Sequence, residues 1–243
     1  MTSTKDTTEK TEHSASCRQT YCSGAVQPKE HREHHKRKPA SGTKTVISLC
    51  KNHIAPAAAV LSRSFRDDPK LSHSLPLREQ RRRVGHHVFG FLLRYGIRYG
   101  KAYATSPNLE GIAIWLPSEK AEMTPWRVLR SGATSTIFQV GVRPAVKMLR
   151  AAGLVERIQR AEAPAHYRYL FVLGVDPVHQ RKGWGSTLLR ETMRGFGDPT
   201  TPCYLETFAA DNVPFYQGHG FRVVKEIRLV NTDLTMWALL REL

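Results

Sequence analysis

Gln180-Arg181-Lys182-Gly183-Trp184-Gly185 lies between two segments of different periodicity. Ahead of it runs the apolar stretch Tyr167 to Val175, closed by Asp176-Pro177. Behind it, Leu188, Leu189, Thr192, Met193 and Phe196 fall on one helical face. The order is therefore strand, short turn, helix start. The first turn of a helix has backbone N–H groups with no intrahelical partner, and the helix dipole adds positive character there. Such an end suits an anion. Gly183 and Gly185 place no Cβ between a phosphate and the main chain, so the stretch reads as a pyrophosphate cradle.

The spacing types the cradle. Neither G-x-G-x-x-G nor G-x-x-x-x-G-K-[S/T] is present. Gln180-x-x-Gly183-x-Gly185, a few residues after a Val-Asp-Pro strand end, instead resembles the acetyl-CoA signature of the GCN5-related N-acetyltransferase (GNAT) superfamily. A second match follows in Cys203-Tyr204-Leu205-Glu206-Thr207, Asn212-Val213-Pro214-Phe215-Tyr216 and Gly218-His219-Gly220-Phe221. It is similar to that family's strand, Asn-containing helix start, Tyr and closing Gly-Phe. Asp67-Asp68-Pro69 and Ile112 to Pro117 are similar to the puromycin N-acetyltransferase-like branch, whose helical insert corresponds to residues 117–165. The resemblance runs from about residue 44 to the C-terminus and is specific over residues 166–225.

The resemblance implies an α/β (α+β) fold: a mixed, mostly antiparallel sheet with one splayed strand pair and helices on both faces. It implies that the strand ending at Val175 diverges from its neighbour, so that a pantetheine arm bonds main-chain groups of Leu173 and Val175. Amides of Gln180, Arg181, Lys182, Gly183, Trp184, Gly185 and Ser186 would take the pyrophosphate. The side chains of Arg181 and Lys182 either add charge there or face solvent. Asn212 bonds the cofactor or caps the helix opening at Val213. Tyr216 corresponds to the family acid that protonates the departing CoA thiolate; the alternative is packing at a helix–sheet junction.

A base is needed because a lysine-like amine, with pKa near 10.4, is neutral in roughly one part in a few thousand at pH 7. Glu206 is the carboxylate so placed by analogy, the alternative being an ordinary strand-end Glu; His166 and His219 are further candidates. Phe65, Asp67, Asp68, Trp115 and Glu119 offer an acidic and aromatic lining for a cationic amine. Equally, Trp115 belongs to a core strand, and Asp67 and Asp68 end a helix.

From about residue 44 the chain alternates elements. Thr45 to Leu49 predicts a strand and Pro56 to Phe65 a helix, with Pro69 as a stop. Val84, Val88, Phe91, Leu92, Tyr95 and Tyr99 predict a long amphipathic helix despite Gly85, Gly90 and Gly96. Ala102 to Thr105 and Gly111 to Leu116 predict a strand pair. Residues 117–165 show helical patterns broken by prolines. Strand, helix, strand, helix and two strands (about 222–230 and 233–241) complete the chain.

Composition bounds the rest. The 243 residues suffice for one sizeable core. Residues 1–43, rich in Ser, Thr, Lys, Glu and His, predict a disordered basic and polar tail ahead of a 44–243 domain. No apolar run approaches the roughly 18 residues of a membrane span, and no membrane partner is expected. Cys17, Cys22, Cys50 and Cys203 have no zinc or disulfide spacing, so no metal is expected. The net charge of +16 fits nucleic-acid affinity or a basic surface without a dedicated partner. The densest run, Arg78 to Arg83, falls on a predicted helix, and nucleic acid is not the expected partner. The expected location is cytoplasmic, with the basic cluster His31 to Lys38 offering a nuclear alternative.

The expected activity is acetyl-CoA-dependent N-acetylation of a small-molecule primary amine, by direct attack in a ternary complex. A protein N-terminus or lysine as acceptor is one alternative. A catalytically silent acyl-CoA- or nucleic-acid-binding module is the other.

Overall fold

Apolar spacing sets the elements, and one sheet collects them. The computed structural model describes residues 46–198, 200–229 and 232–242. The tail expected over residues 1–43 lies outside them. A short strand β1 (Ile47–Ser48) leads to helices α1 (Ile54–Ser64), α2 (Pro69–Ser74) and α3 (Arg78–Tyr99). Strands β2 (Lys101–Ala104) and β3 (Gly111–Pro117) precede the insert, which forms α4 (Ser118–Ala121), α5 (Pro125–Arg130), α6 (Ala133–Val140) and α7 (Val142–Glu162). The remainder is β4 (Arg168–Val175), α8 (Trp184–Arg194), β5 (Cys203–Thr207), α9 (Val213–Gln217), β6 (Arg222–Arg228) and β7 (Thr235–Arg241). Of the strand expected over Thr45 to Leu49, Thr45 lies outside the described residues; Ile47 and Ser48 pair with β2, and the Leu49 amide donates to the Ala102 carbonyl (2.8 Å).

The sheet order is β1-β2-β3-β4-β5-β7-β6. Every neighbouring pair is antiparallel except β4 and β5. Alternation along β3 sorts the two faces. Ile112 and Ile114 pack into the core built on α1 and α3, while Ala113 and Trp115 pack with Leu188 and Leu189 of α8. Helices therefore cover both faces, and β3 reads as a continuous apolar run for that reason.

The glycines that interrupt α3 are contact points. A Cβ at Gly96 would collide with Ile114, and one at Gly85 with Ser62, so these positions let α3 approach β3 and α1 closely. The basic run of α3 is partly structural too. Arg81 is buried and donates to the carbonyls of Arg66 (2.6 Å), Leu75 (2.7 Å) and Pro76 (2.8 Å), which fixes the turn between α2 and α3.

Candidate active site

β4 and β5 pair only at Arg168–Cys203 and Tyr169–Tyr204. β4 then follows β3 to Val175, whereas β5 follows β7 to Thr207. Beyond Tyr169 the main chain of β4 has no strand on its β5 side, which is the divergence the resemblance implied. A cavity of about 280 Å³ is lined from this opening. Tyr169 and Leu173 of β4, Glu206 of β5 and Tyr216 of α9 all contribute to its wall. A larger depression of about 560 Å³ lies around Arg190, Arg194 and Arg241, toward the C-terminal end of α8. It sits away from the strand opening and from the end of α8 that attracts anions.

The loop from β4 to α8, expected to cradle a pyrophosphate, stands on a buried anchor. Asp176 follows β4, its amide donates to the Glu110 carbonyl (2.8 Å), and its carboxylate accepts from Arg63 Nε (2.9 Å). α1 is thereby tied to the start of the loop. Gly183 is the N-cap of α8 with φ 78°, and a Cβ there would meet nothing within 4 Å. The main chain at the helix start is thus open on that side. Gly185 serves differently from the sequence reading: its Cβ position points at Phe215 (3.4 Å), so it faces α9 rather than the open side.

Arg181 and Lys182 are exposed, and Lys182 Nζ donates to the Val178 carbonyl (3.0 Å). The side chain of Gln180 donates to the Val175 carbonyl (3.1 Å), so that acceptor is already engaged. Trp184 is half-buried in the first turn of α8. Ser186 Oγ lies 3.0 Å from His219 Nε2, which makes His219 a partner of the cradle helix rather than of the cavity.

Arg63→Met is expected to destabilise the fold by about 2 kcal/mol, measured by urea unfolding. That is below the usual cost of breaking a buried pair because Arg63 is itself partly exposed.

Glu206 is the most perturbed acid on the cavity wall. Its Oε2 accepts from the Tyr169 hydroxyl (2.6 Å), while Oε1 is buried without a hydrogen-bond partner. Burial pushes its carboxyl from 4.5 up to about 7, against the opposing pull of the Tyr169 hydroxyl and the Lys70 charge. The Tyr204 hydroxyl is also buried near this carboxylate, without a well-formed hydrogen bond. Tyr216 is buried, stacks edge-on with Phe215 and Phe221, and its hydroxyl has no hydrogen bond among the described residues. Burial raises its pKa, so the phenol keeps its proton. Asn212 lines the cavity and donates to Thr207 Oγ1 (3.3 Å); its side chain caps nothing.

The acceptor candidates separate. Phe65 and Asp68 line the cavity, and Asp68 also caps α2 by accepting from the Leu71 amide (2.9 Å). Asp67 instead points outward to Arg78 (3.2 Å). Trp115 is core, donating through Nε1 to Thr192 Oγ1 (3.0 Å). Glu119 and His166 are exposed, 3.8 Å from each other, and outside the cavity lining.

Lys70 is the residue that sequence reasoning missed. It lines the cavity beside Phe208, its ammonium 5.2 Å from the ring centroid. Burial lowers its pKa, partly offset by the charges of Glu206 and Asp68. Its one sequence signal is its place just after Asp68-Pro69, in the first turn of α2.

Solved acetyltransferases share this architecture. One, described as histone acetyltransferase HPA2 and related acetyltransferase from Corynebacterium glutamicum, has a TM-score of 0.56 at 16% identity over 82% of this chain and 95% of its own. Arylalkylamine N-acetyltransferase 2 from Aedes aegypti has a TM-score of 0.54 at 13% identity, over 82% and 98%. The C-terminal condensation domain of Ebony, in complex with beta-alanyl-dopamine, has a TM-score of 0.58 at 9% identity, again over 82% and 98%. No family model matches the sequence. The fold is the one these solved acetyltransferases share.

Proposed function

We propose that the protein is an acyl-CoA-dependent N-acyltransferase that moves the acetyl group of acetyl-CoA to the primary amine of a small hydrophobic molecule, by direct attack in a ternary complex. The observation that carries this reading is the cavity at the β4–β5 opening, which has Glu206 and Tyr216 on its wall. Acetyl-CoA supplies an acyl thioester whose sulfur departs as a thiolate. The chain suits such a group: the first turn of α8 is open at Gly183, and β4 has unpaired main chain beyond Tyr169.

Glu206 takes a proton from the acceptor's ammonium, and Oε1 is the oxygen left for it while Tyr169 holds Oε2. Raising the carboxyl from 4.5 to about 7 makes that acceptance about 3 kcal/mol easier. The freed amine forms the C–N bond. As the C–S bond breaks, Tyr216, kept protonated by burial, donates to the leaving sulfur and is reprotonated by the second proton that the new amide nitrogen gives up. Phe65, Phe89, Phe91 and Met148 give the cavity an aromatic and thioether wall for the acceptor's body, and Asp68 adds negative charge for its amine. The names of the similar arylalkylamine acetyltransferase and of the Ebony domain's beta-alanyl-dopamine complex support an amine with an aromatic portion.

A free-thiol assay over an amine panel tests the reading. Turnover of arylalkylamines ahead of polar polyamines is expected. Thiol release with peptides alone moves the acceptor to protein, and acetyl-CoA binding without thiol release from any acceptor rejects the enzyme. Tyr216→Phe is expected to lower kcat on the order of 10²-fold, the low end for general acids because a thiolate already leaves well. Its acetyl-CoA affinity should match the wild type in calorimetry, and wild-type kcat would remove the role.

A further inference from the structure

Ten large hydrophobic residues are exposed among the described residues, and eight of them lie in α5, α6 and α7. Phe138 is 86% exposed, Val142 68%, Leu149 66% and Trp126 63%. Soluble surfaces scatter such residues singly; a concentration of this kind marks an interaction face. Up to residue 155 the same segment is charged with one sign, and Glu156 and Glu162 follow at the far end of α7, where they pair with Arg160 and Lys225. Residues 123–155 contain five Lys or Arg and no Asp or Glu.

The two features interleave along α7. Val142, Val146 and Leu149 recur at helical spacing, each followed by a cation: Arg143, Lys147 and Arg150. These three cations form no ion pair among the described residues. They line a groove of about 450 Å³ that α7 shares with Ser74, Pro76 and Gln80 and that holds no carboxylate.

We propose that α5–α7 form a docking face for a bilayer surface carrying anionic headgroups. The apolar side chains would enter the headgroup–acyl boundary, with the cations against lipid phosphates. Exposed Trp126 suits the interfacial zone, where an amphipathic ring is favoured. This contact lies on the membrane and spans nothing; no described helix is long and apolar enough to cross one. Charge selects this occupant over a second copy of the chain. A two-fold contact centred on the groove would set Arg143, Lys147 and Arg150 of both copies against each other with no carboxylate in the groove between them. Leu149 of this face also lines the cavity, but vesicle binding needs neither acetyl-CoA nor turnover, so its test stands apart from the catalytic reading.

The test uses the full chain, with vesicles of phosphatidylcholine alone or mixed with phosphatidylglycerol. Co-sedimentation is expected with the mixed vesicles, weakening with salt, together with a blue shift of tryptophan fluorescence that Trp126→Phe removes. Phe138→Ser leaves the charge unchanged and should weaken binding roughly 10-fold. Arg143→Gln with Lys147→Gln should cost roughly 5-fold per cation. Circular dichroism and thermal melting confirm that each variant is folded. Absence of vesicle binding overturns the proposal. So does binding that Phe138→Ser leaves intact, which would trace it to overall basicity. A dimer by light scattering that Phe138→Ser dissociates, without vesicle binding, gives the face to a second copy instead.

Discussion

Glu206→Gln is expected to lower kcat roughly 10²–10⁴-fold, the range for a positioned general base, and to flatten the limb of the rate profile that rises through about pH 7. The same substitution should stabilise the fold in alkaline solution. Burial raises the Glu206 carboxyl above its ordinary 4.5, so the folded chain holds that proton more tightly than the unfolded chain does. The stability this contributes is fully present below about pH 4.5 and is lost as pH rises through about 7. A glutamine at this position keeps an acceptor for the Tyr169 hydroxyl but never ionises. The variant should therefore melt higher than the wild type above pH 7 while remaining nearly inactive. Thermal melts across pH, set beside kcat profiles, check both halves. Wild-type turnover removes the base, and identical melting curves remove the buried charge.

Gly183→Asp is expected to reduce acetyl-CoA affinity at least ~100-fold, whereas Gly183→Asn should retain most of it. Both substitutions place a short polar side chain at φ 78°, a conformation Asn and Asp tolerate better than other residues. Neither Cβ meets a neighbour, so both variants should fold. They differ by one negative charge at the helix N-terminus, where a bound pyrophosphate would lie. Two phosphates repelled by a carboxylate at about 4 Å lose several kcal/mol at an effective dielectric near 20. Calorimetric affinities that are equal for the two variants would show that the phosphates lie elsewhere.

Much of the fold was legible because its signals are local. The apolar run of β3, the periodicity of α3 and the break at Asp176-Pro177 are each contained in one segment. The strand end, Gly-rich turn and helix start from Val175 to Trp184 were legible for the same reason, being contiguous in the chain. What was not legible depends on distant segments meeting. Lys70 becomes a wall residue only because the fold brings it to Phe208 and the Glu206 charge, far along the chain. Trp115 and Asp67 looked like lining until tertiary contacts assigned one to the core and the other to Arg78. Gly185 looked like a twin of Gly183, yet its Cβ direction is set by Phe215, thirty positions further along the chain. The exposed face of α5–α7 escaped because a search for spans looks for long apolar runs, and along α7 a cation follows each of Val142, Val146 and Leu149.

The two-pair seam between β4 and β5 bears on the protein's lifetime as well as its chemistry. The sheet is mechanically two half-sheets stitched at one end, and on the proposed reading an extended ligand arm laid along the open edge would act as a surrogate strand that splints them. Any ligand that binds only the folded state stabilises it in proportion to the logarithm of its saturation. The unloaded chain is then the form most open to proteases, so its abundance in a cell should follow the supply of its acyl donor.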